Sequence, residues 1–393
     1  MQIERRIVAR ILDRLSAGPQ LLQIIVGPRQ VGKTTAALAV GKRWSGPVRH
    51  AAADLPLPPG PEWIRNHWEL ARRDAREGPA LLILDEVQKV RGWSEAVKAC
   101  WDEDRAVGRE IRVLLLGSSA LLLARGVTES LAGRFFLHRC LHWSWPECRE
   151  AFGWDLDRWI FFGGYPGAAP LADDQAAWQS YVLDSLIETV LSRDVLSLQT
   201  VAKPALLRNL FAFAASHPAQ IISYNKMLGE LQDAGNTTTL AHYLRLLTSA
   251  FLISGLERFS AGQARTRGSS PKLVPWNNAL ISALRLQPFV EARSLHDAWG
   301  RLVENAVGAH LLNHLQGLPY EVTYWRDRNA EVDFVVRSPR GLWAIEVKSG
   351  RPRKAQGIEM FLRRHPKARS LLLGPGGMPL EEFFSLDPSE LFV

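Results

Sequence analysis

The sequence predicts an α/β fold that begins with a parallel β-sheet covered by helices on both faces. Three short apolar runs, at 21–26, 79–86 and 111–119, have the length and composition of buried strands. Charged helical patterns separate these runs. Continuous apolar strands that alternate with helices are typical of a parallel sheet whose two faces both pack against helices.

Local signals place the elements between these strands. An amphipathic pattern at the N-terminus predicts a helix that ends near Gly18, and a second helix begins at Gly32. Residues 50–61 are polar and rich in Pro, so a loop is expected there. Further amphipathic patterns predict helices over 62–77 and 94–106.

After residue 200 the pattern changes. Three helical stretches with short Gly and Asn turns, at 205–218, 223–236 and 237–253, lead into a strand candidate at 252–260. This order is typical of a winged helix-turn-helix. The basic segment 264–272 carries Gly, Ser and Pro, and it is interpreted as a wing tip or a linker.

The last part of the chain predicts a small α/β unit. A helix over 299–315 comes first, three strand candidates follow it, and a final helix and strand close the segment. The predicted domains are therefore an α/β domain over 1–200, a winged helix-turn-helix over 201–272 and a small α/β domain over 273–393.

Length and charge narrow the class of protein. A chain of 393 residues predicts two or three domains. The net charge of +8 favours a polyanionic partner, nucleic acid before a membrane surface. Three cysteines without metal-ligand spacing indicate a reduced, cytoplasmic protein. No apolar run is long enough to span a bilayer, so no membrane partner is expected.

A nucleotide-binding loop follows the first buried strand. The segment matches G-x-x-x-x-G-K-T without a departure and stands between a strand and a helix. Its backbone amides are expected to wrap the phosphates of ATP, Lys33 to reach the β- and γ-phosphates, and Thr34 to place its hydroxyl on Mg²⁺. The predicted ATP-binding residues are Gly27, Pro28, Arg29, Gln30, Val31, Gly32, Lys33, Thr34 and Thr35.

Two acids end the second buried strand. Asp85 and Glu86 follow four apolar residues, at the end of the strand where open α/β sheets bind ligands. Asp85 is predicted to hold the Mg²⁺ shell together with Thr34. Glu86 is predicted to polarise the attacking water as a general base.

Two further side chains are candidates for the hydrolytic reaction. Ser118, at the end of the third strand, could sense the γ-phosphate, but a cap for the following helix explains it equally well. Arg134 is a candidate arginine finger in trans, since Arg neutralises transition-state charge. The residues that compete with Arg134 for this role are Arg125, Arg139 and Arg193.

Taken together, these segments resemble a known family. GPRQVGKTT, LLILDEVQKV, LLLGSSALLL, LAGRFFLHRC and FFGGYPGA resemble, in order, motifs of a prokaryotic, archaeal-type AAA+ P-loop ATPase family. That family carries a C-terminal domain long described as of unknown function. YWRDRNAEVDFVV and AIEVKSG continue the resemblance, and Trp276-Asn277-Asn278 departs from it, where relatives tend to carry an Asp. The resemblance implies an AAA+ P-loop ATPase domain over 1–200, a winged helix over 201–272 and a domain similar to PD-(D/E)xK nucleases over 273–393. It also implies a homo-oligomer of the hexameric-ring type.

Acidic residues in the C-terminal part form a possible metal-dependent nuclease site. Asp333 and Glu346 lie on adjacent strand candidates, and Lys348 shares a strand face with Glu346. Two carboxylates can hold Mg²⁺ or Mn²⁺, which would activate water against a phosphodiester, and Lys348 could stabilise developing charge. Glu304, on the preceding helix, stands where nuclease relatives often place another acid. Cleavage is a separate question, because folds outlive their chemistry.

The helix from Thr237 to Thr248 is the predicted recognition helix, and a structure-specific rather than sequence-specific DNA contact is expected. Its candidate DNA contacts are Thr237, Thr238, Thr239, His242 and Arg245. Arg258, Arg265, Arg267 and Lys272 are candidates for a basic wing. The alternative is that this module packs against the ATPase and binds nothing.

Three functions are consistent with these features. The first is a Mg²⁺-dependent ATPase that binds, remodels or translocates DNA, branched DNA included, with possible metal-dependent cleavage by its C-terminal domain. The second is a nucleotide-controlled signalling or defence switch, whose nuclease-like domain is an effector or an inactive scaffold. The third is a nucleotide-binding scaffold whose C-terminal domain only packs.

Overall fold

The structure is a computed structural model that describes residues 5–18, 21–117, 130–195, 201–232, 235–260, 269–350 and 356–392. The chain forms two compact units. One comprises Met1–Leu141 with Arg193–Thr200, and the other His142–Ser192 with Val201–Val393. This division differs from the predicted boundary at residue 200, because residues 142–192 pack with the C-terminal part of the chain.

The first unit is built on a parallel sheet of five strands in the order β2-β3-β4-β1-β5. The three predicted strands are confirmed as β1, β3 and β4, and every residue of these strands is buried. The mixed α/β class predicted for the chain is thereby confirmed for this unit. The five strands are β1 (Leu22–Val26), β2 (Val48–Ala52), β3 (Ala80–Asp85), β4 (Ile111–Leu116) and β5 (Phe135–Arg139).

Helices cover both faces of this sheet. On one face, Trp68 and Trp101 pack with β-strand residues in one apolar cluster, and on the other face Ile11 and Val40 belong to a second cluster. Burial on both faces is the reason that the inner strands are apolar throughout. The helices are α1 (Arg6–Ser16), α2 (Lys33–Arg43), α3 (Pro61–Asp74) and α4 (Trp93–Val107), with short 3₁₀ turns at Ala75–Glu77 and Val87–Lys89.

The two edge strands were not predicted. The loop expected over 50–61 is wrong at its start, because residues up to Ala52 belong to β2. Its side chains are mostly exposed, so it lacks the apolar signal of an inner strand, and it forms because it pairs in parallel with β3. Strand β5 is half-buried and pairs in parallel with β1.

The second unit begins with a group of short helices that carry several aromatic side chains. Local caps fix three of them: Ser144 forms a capping box, and Asp155 and Asp174 each accept a hydrogen bond from the first helical turn. The helices are α5 (Trp145–Phe152), α6 (Leu156–Phe162) and α7 (Gln175–Ser180). A 3₁₀ turn covers Ala169–Leu171, and π-helical turns follow α7 over Tyr181–Glu188 and Val190–Val195.

Helices and a small antiparallel sheet, in the order β6-β8-β7, come next. The elements are α8 (Pro204–Ser216), β6 (Gln220–Ile221), α9 (Tyr224–Glu230), α10 (Thr237–Ser249), β7 (Ile253–Leu256) and β8 (Lys272–Pro275). The assignment of these elements to a winged helix-turn-helix stays a prediction. The predicted domain boundary after residue 272 falls inside β8, whose residues pair with β6 and β7.

The C-terminal part holds a mixed sheet in the order β12-β11-β10-β9. Strands β9 (Glu321–Asp327), β10 (Ala330–Ser338) and β11 (Gly341–Val347) are antiparallel, and β12 (Arg369–Leu373) runs parallel to β11. The helices are α11 (Ala279–Ser282), α12 (Phe289–Ser294), α13 (His296–Leu315), α14 (Gln356–Arg364), α15 (Leu380–Ser385) and α16 (Pro388–Leu391). Among the described residues, no helix has the length and apolarity that a membrane span requires.

Candidate functional site

The nucleotide-binding loop has the backbone that its sequence predicts. Gln30 and Gly32 adopt positive φ angles of 57° and 90°, and α2 begins at Lys33 directly after the turn. The loop therefore ends at a helix N-terminus, where unpaired N–H groups and the helix dipole favour negative charge. The ammonium of Lys33 donates to the carbonyls of Gly27 and Pro28, at 3.1 Å and 2.7 Å. Its charge is thus held over the loop.

Close packing fixes the start of this loop. A Cβ atom on Gly27 would lie 1.8 Å from the carbonyl oxygen of Cys140, so no other residue fits there without moving backbone. One guanidinium nitrogen of Arg5 donates to the carbonyl of Val31 at 3.1 Å and to that of Leu141 at 3.0 Å. The nucleotide-binding loop is therefore linked to the segment that follows β5.

The structure brings the side chains of Thr34 and Asp85 together. The hydroxyl of Thr34 donates to Oδ2 of Asp85 at 2.6 Å, and the backbone N–H of Glu86 donates to Oδ1 at 2.7 Å. Asp85 is the last residue of β3 and is 5% exposed. The two oxygen-bearing side chains come from different strand-to-helix connections of one parallel sheet, at the carboxyl end of its strands, where such sheets bind ligands.

Glu86 is turned by its backbone and held by its neighbours. Its φ of 53° is uncommon for a residue with a side chain and directs the carboxylate out of the strand. Gln88 Nε2 donates to Glu86 Oε2 at 2.7 Å, and Lys89 Nζ lies 3.7 Å from the same oxygen and 2.6 Å from Asp54.

Gln88 is a residue that the sequence reasoning missed. Its Oε1 is buried and makes no hydrogen bond with the described residues, so its amide is committed to Glu86 through Nε2 alone. Its sequence position could have indicated this contact, because Gln88 comes two residues after the proposed general base Glu86.

The remaining ATPase candidates have different outcomes. Ser118 and Arg125 lie outside the described residues, as does Ser119 beside them, although β4, which precedes Ser118, lies between β1 and β3. Arg134 forms a two-point ion pair with Asp102, at 2.9 Å and 3.1 Å, within its own chain. An arginine finger at Arg134 would have to leave this partner, and the role stays a prediction.

The predicted C-terminal residues occupy one carboxylate cluster, together with residues that were not predicted. Asp333 lies in an irregular part of β10, where the pairing register with β9 shifts, and its Oδ2 accepts a hydrogen bond from Val347 N at 2.8 Å. Glu346 contacts the Lys348 ammonium. Glu304 lies 2.6 Å from the Lys272 ammonium.

Lys272 is buried, although the sequence predicts that it belongs to a basic wing. That prediction is wrong, because its side chain is 0% exposed. It points from β8 toward Glu304, Glu331 and Asp333. A lysine at the edge of a basic segment is expected to be exposed to solvent. Its burial depends on the packing of β8 against the carboxylates, which the sequence does not show.

Burial and charge both shift the pKa values in this cluster. Burial raises the pKa of Glu304 to about 7, although the Lys272 ammonium acts in the opposite direction. Burial also raises the pKa of Glu346, and Asp333 adds to that shift. Burial by itself lowers the pKa of Lys272, but the carboxylates, Glu304 foremost, outweigh it and raise the pKa overall.

The predicted DNA-contacting residues are partly accessible. Thr237, Thr238 and Arg245 are exposed on α10, and Thr239 and His242 are half-buried. Asn236 caps this helix by accepting a hydrogen bond from Thr239 N at 2.8 Å. Arg258 is exposed after β7, whereas Arg265 and Arg267 lie outside the described residues.

Comparison with known families identifies the first part of the chain. Residues 20–148 match the family described as "AAA domain". Residues 153–289 and 299–383 match two families described as domains of unknown function, DUF8612 and DUF4143. The first match contains the nucleotide-binding loop, Asp85 and Glu86, so this part of the chain is similar to AAA-type ATPase domains.

The similar proteins that align with most of this chain do not indicate its activity. Uncharacterized proteins of Mycobacterium tuberculosis and Mycobacterium bovis are each 28% identical over 390 residues, which covers 96% of this chain and 81% of theirs. Among solved structures, AMPPCP-bound DnaA from Aquifex aeolicus aligns with a TM-score of 0.33 and 16% identity, over 63% of this chain and 89% of that one. An overlap this weak adds nothing to the family match.

Proposed function

We propose that the chain is a Mg²⁺-dependent ATP hydrolase that acts on nucleic acid. The observation that carries the catalytic part is the 2.6 Å hydrogen bond between Thr34 Oγ1 and Asp85 Oδ2. A hydroxyl and a carboxylate are the oxygen donors that Mg²⁺ takes beside nucleotide phosphates, so the donor set fits this cation. Thr34 and Asp85 would hold Mg²⁺, which when bound would supply positive charge against the charge that develops on the phosphates.

Different residues of the chain would bind the phosphates, activate the attacking water and stabilise the transition state. The loop amides and the Lys33 ammonium would bind the phosphates, since charge-assisted hydrogen bonds are the strong ones. Glu86 would accept a proton from the attacking water, and its carboxylate is supported for that task by the contact with Gln88. Arg134 and Ser118 remain proposed contributors. A ring of several copies would bring an arginine to the ATP bound by a neighbour.

Action on nucleic acid is proposed from charge and accessible side chains. The net charge of +8 favours a polyanion, and α10 offers exposed hydroxyls together with Arg245. Contacts of this kind bind phosphates and fix orientation without reading sequence. We therefore expect a preference for a DNA structure rather than for a sequence.

A nucleotide-controlled switch with an inactive scaffold is the second candidate function. The buried Lys272 in the carboxylate cluster favours it, because an internal cation occupies the region where a nuclease would hold its metal ion. In this alternative, ATP turnover would be slow and indifferent to DNA, and nucleotide would change the assembly state.

An ATPase assay with single-stranded, duplex and junction DNA at low salt tests the proposal. DNA should stimulate turnover, and Arg245→Ala combined with Arg258→Ala should weaken binding uniformly across sequences and lower the salt dependence. Arg340→Ala combined with Arg363→Ala is the matched control, since both arginines are exposed in the C-terminal part of the chain and the charge changes by the same amount. DNA that neither binds nor changes turnover would refute action on nucleic acid. Nucleotide-dependent oligomerisation without DNA stimulation would favour the switch.

A further inference from the structure

Lys272 occupies an unusual place for a lysine. Its ammonium lies 2.6 Å from Glu304 Oε1, 3.5 Å from Glu331 Oε1 and 3.7 Å from Asp333 Oδ1. It also lies 4.9 Å from the centre of the Phe334 ring. Lysine is almost never fully buried unless it is paired, so this side chain depends on these carboxylates and they depend on it.

The backbone of Lys272 keeps the ammonium in place. Lys272 pairs with Ile221 of β6 on one side and with Leu256 of β7 on the other, in the central strand of the three-stranded sheet. Strand β8 therefore holds the Cα position from both sides. The side chain reaches from this sheet to α13 and β10, and it joins three separately formed elements.

The carboxylate oxygens are already committed. Glu304 Oε1 faces Lys272, and Glu304 Oε2 accepts from Arg301 at 2.9 Å. Asp333 Oδ2 accepts from Val347 N, which leaves Oδ1 facing Lys272. The contact at Glu304 Oε1 is not aligned as a hydrogen bond, so it is an electrostatic pair. A divalent cation needs several oxygens at about 2.0–2.6 Å and would here meet an ammonium at similar range.

One further oxygen near the cluster is buried without a hydrogen-bond partner among the described residues. Glu346 Oε2 is buried and has no partner among the described residues, while Oε1 contacts Lys348. A single orphaned oxygen is one ligand, whereas a hard cation takes about six. In the part of the chain that the structure describes, no group of three or more His, Cys, Asp or Glu side chains is arranged to hold a metal ion.

We propose that the Lys272 ammonium takes the place of a divalent cation in the carboxylate cluster, so that the C-terminal α/β part is a metal-free scaffold and not a nuclease. The ammonium neutralises the acids that a catalytic metal would otherwise neutralise. The cluster then joins β8, α13 and β10 by charge.

Mn²⁺ titration of the full chain by calorimetry, without nucleotide, tests this assignment. Wild type and Glu346→Gln should bind the same number of Mn²⁺ equivalents, since no site exists for the variant to lose. Lys272→Met should gain one equivalent, and that gain should vanish in Lys272→Met/Asp333→Asn, since Asp333 Oδ1 faces the position that the ammonium leaves. Thermal unfolding followed by circular dichroism, measured in parallel, reports that both units are folded in each variant.

Two results would overturn the proposal. One is a Mn²⁺ equivalent in wild type that Glu346→Gln or Asp333→Asn removes. The other is a folded Lys272→Met that gains no Mn²⁺. If Lys272→Met does not fold, the proposal is tested by comparing the number of Mn²⁺ equivalents bound by wild type and by Glu346→Gln. Mn²⁺-dependent nicking of supercoiled plasmid DNA by wild type, absent from Asp333→Asn, would contradict the proposal by a separate readout.

Discussion

Replacing Gln88 with Leu should slow ATP hydrolysis without weakening ATP binding. Gln88 contacts the Glu86 carboxylate through one hydrogen bond of 2.7 Å and has no hydrogen bond to the nucleotide-binding loop among those of the described residues. A hydrogen bond to a charged group is worth about 1.5–3 kcal/mol. If all of that orients the general base in the transition state, kcat should fall by roughly 10- to 150-fold. KM for ATP should stay within about 2-fold of wild type.

Steady-state kinetics on four proteins distinguishes positioning from simple damage. These are wild type, Gln88→Leu, Glu86→Gln and the double variant. Because Gln88 is proposed to act only through Glu86, Gln88→Leu should cost less than about 2-fold in the Glu86→Gln background. Gln356→Leu, the same replacement at an exposed position on α14, is the matched control.

Either of two outcomes would refute this reasoning. An unchanged kcat in Gln88→Leu would show that Glu86 needs no such support. An equal loss in both backgrounds would show that Gln88 acts on something other than Glu86. A rise in KM alone would place Gln88 in nucleotide binding.

Three further predictions follow from contacts in the first unit. Lys33→Ala should weaken binding of a fluorescent ATP analogue by roughly 10- to 100-fold, since a charge-assisted contact with the phosphates is lost, and unchanged binding would exclude Lys33 from that role. Asp104→Ala should lower the free energy of unfolding in urea by about 1–3 kcal/mol, because it leaves the buried Trp68 indole N–H without its acceptor and removes one of three carboxylates that pair with Arg72. Glu69→Ala, at an exposed partner of Arg72, should cost at most about 1 kcal/mol. Burial lowers the pKa of His138 from 6.5 to about 4, so its neutral form stabilises the fold above pH 6.5, and about 3 kcal/mol is lost as pH falls toward 4. Urea unfolding at pH 7 and pH 4 should show a smaller loss in His138→Gln, and equal losses would contradict the assignment.

The nucleotide site was predictable because its determinants are local and ordered along the chain. A glycine-rich loop between a buried strand and a helix has few other interpretations. The position of Asp85 at a strand end could be predicted because it comes directly after a run of apolar residues. The inner strands could be read because burial on both faces makes them apolar throughout. Strand β2 could not, because its edge position leaves most of its side chains exposed.

Lys272 and Gln88 show why the rest escaped prediction. Lys272 stands 32 positions before Glu304 and 61 before Asp333 in the chain, so only tertiary packing brings these charges together. The segment that precedes Lys272 in sequence, residues 264–270, is basic and polar, which favours an exposed position for the lysine as well. Gln88 is close to Glu86 in sequence, but the direction of its amide depends on a turn in which Glu86 has a positive φ. Periodic sequence patterns predict which face of a helix or strand is buried. The contacts of Lys272 and Gln88 do not depend on such a pattern.

The contact of Arg5 with both Val31 and Leu141 sets a limit on mechanical coupling in this chain. Leu141 is the last residue before the second unit begins at His142. Movement of the Val31 carbonyl must therefore carry Leu141 with it or break a hydrogen bond to a charged donor. Such a bond is worth about 1.5–3 kcal/mol. That value is an upper bound on the free energy by which this one hydrogen bond can couple the nucleotide-binding loop to Leu141, and coupling free energies between sites are typically about 1–3 kcal/mol.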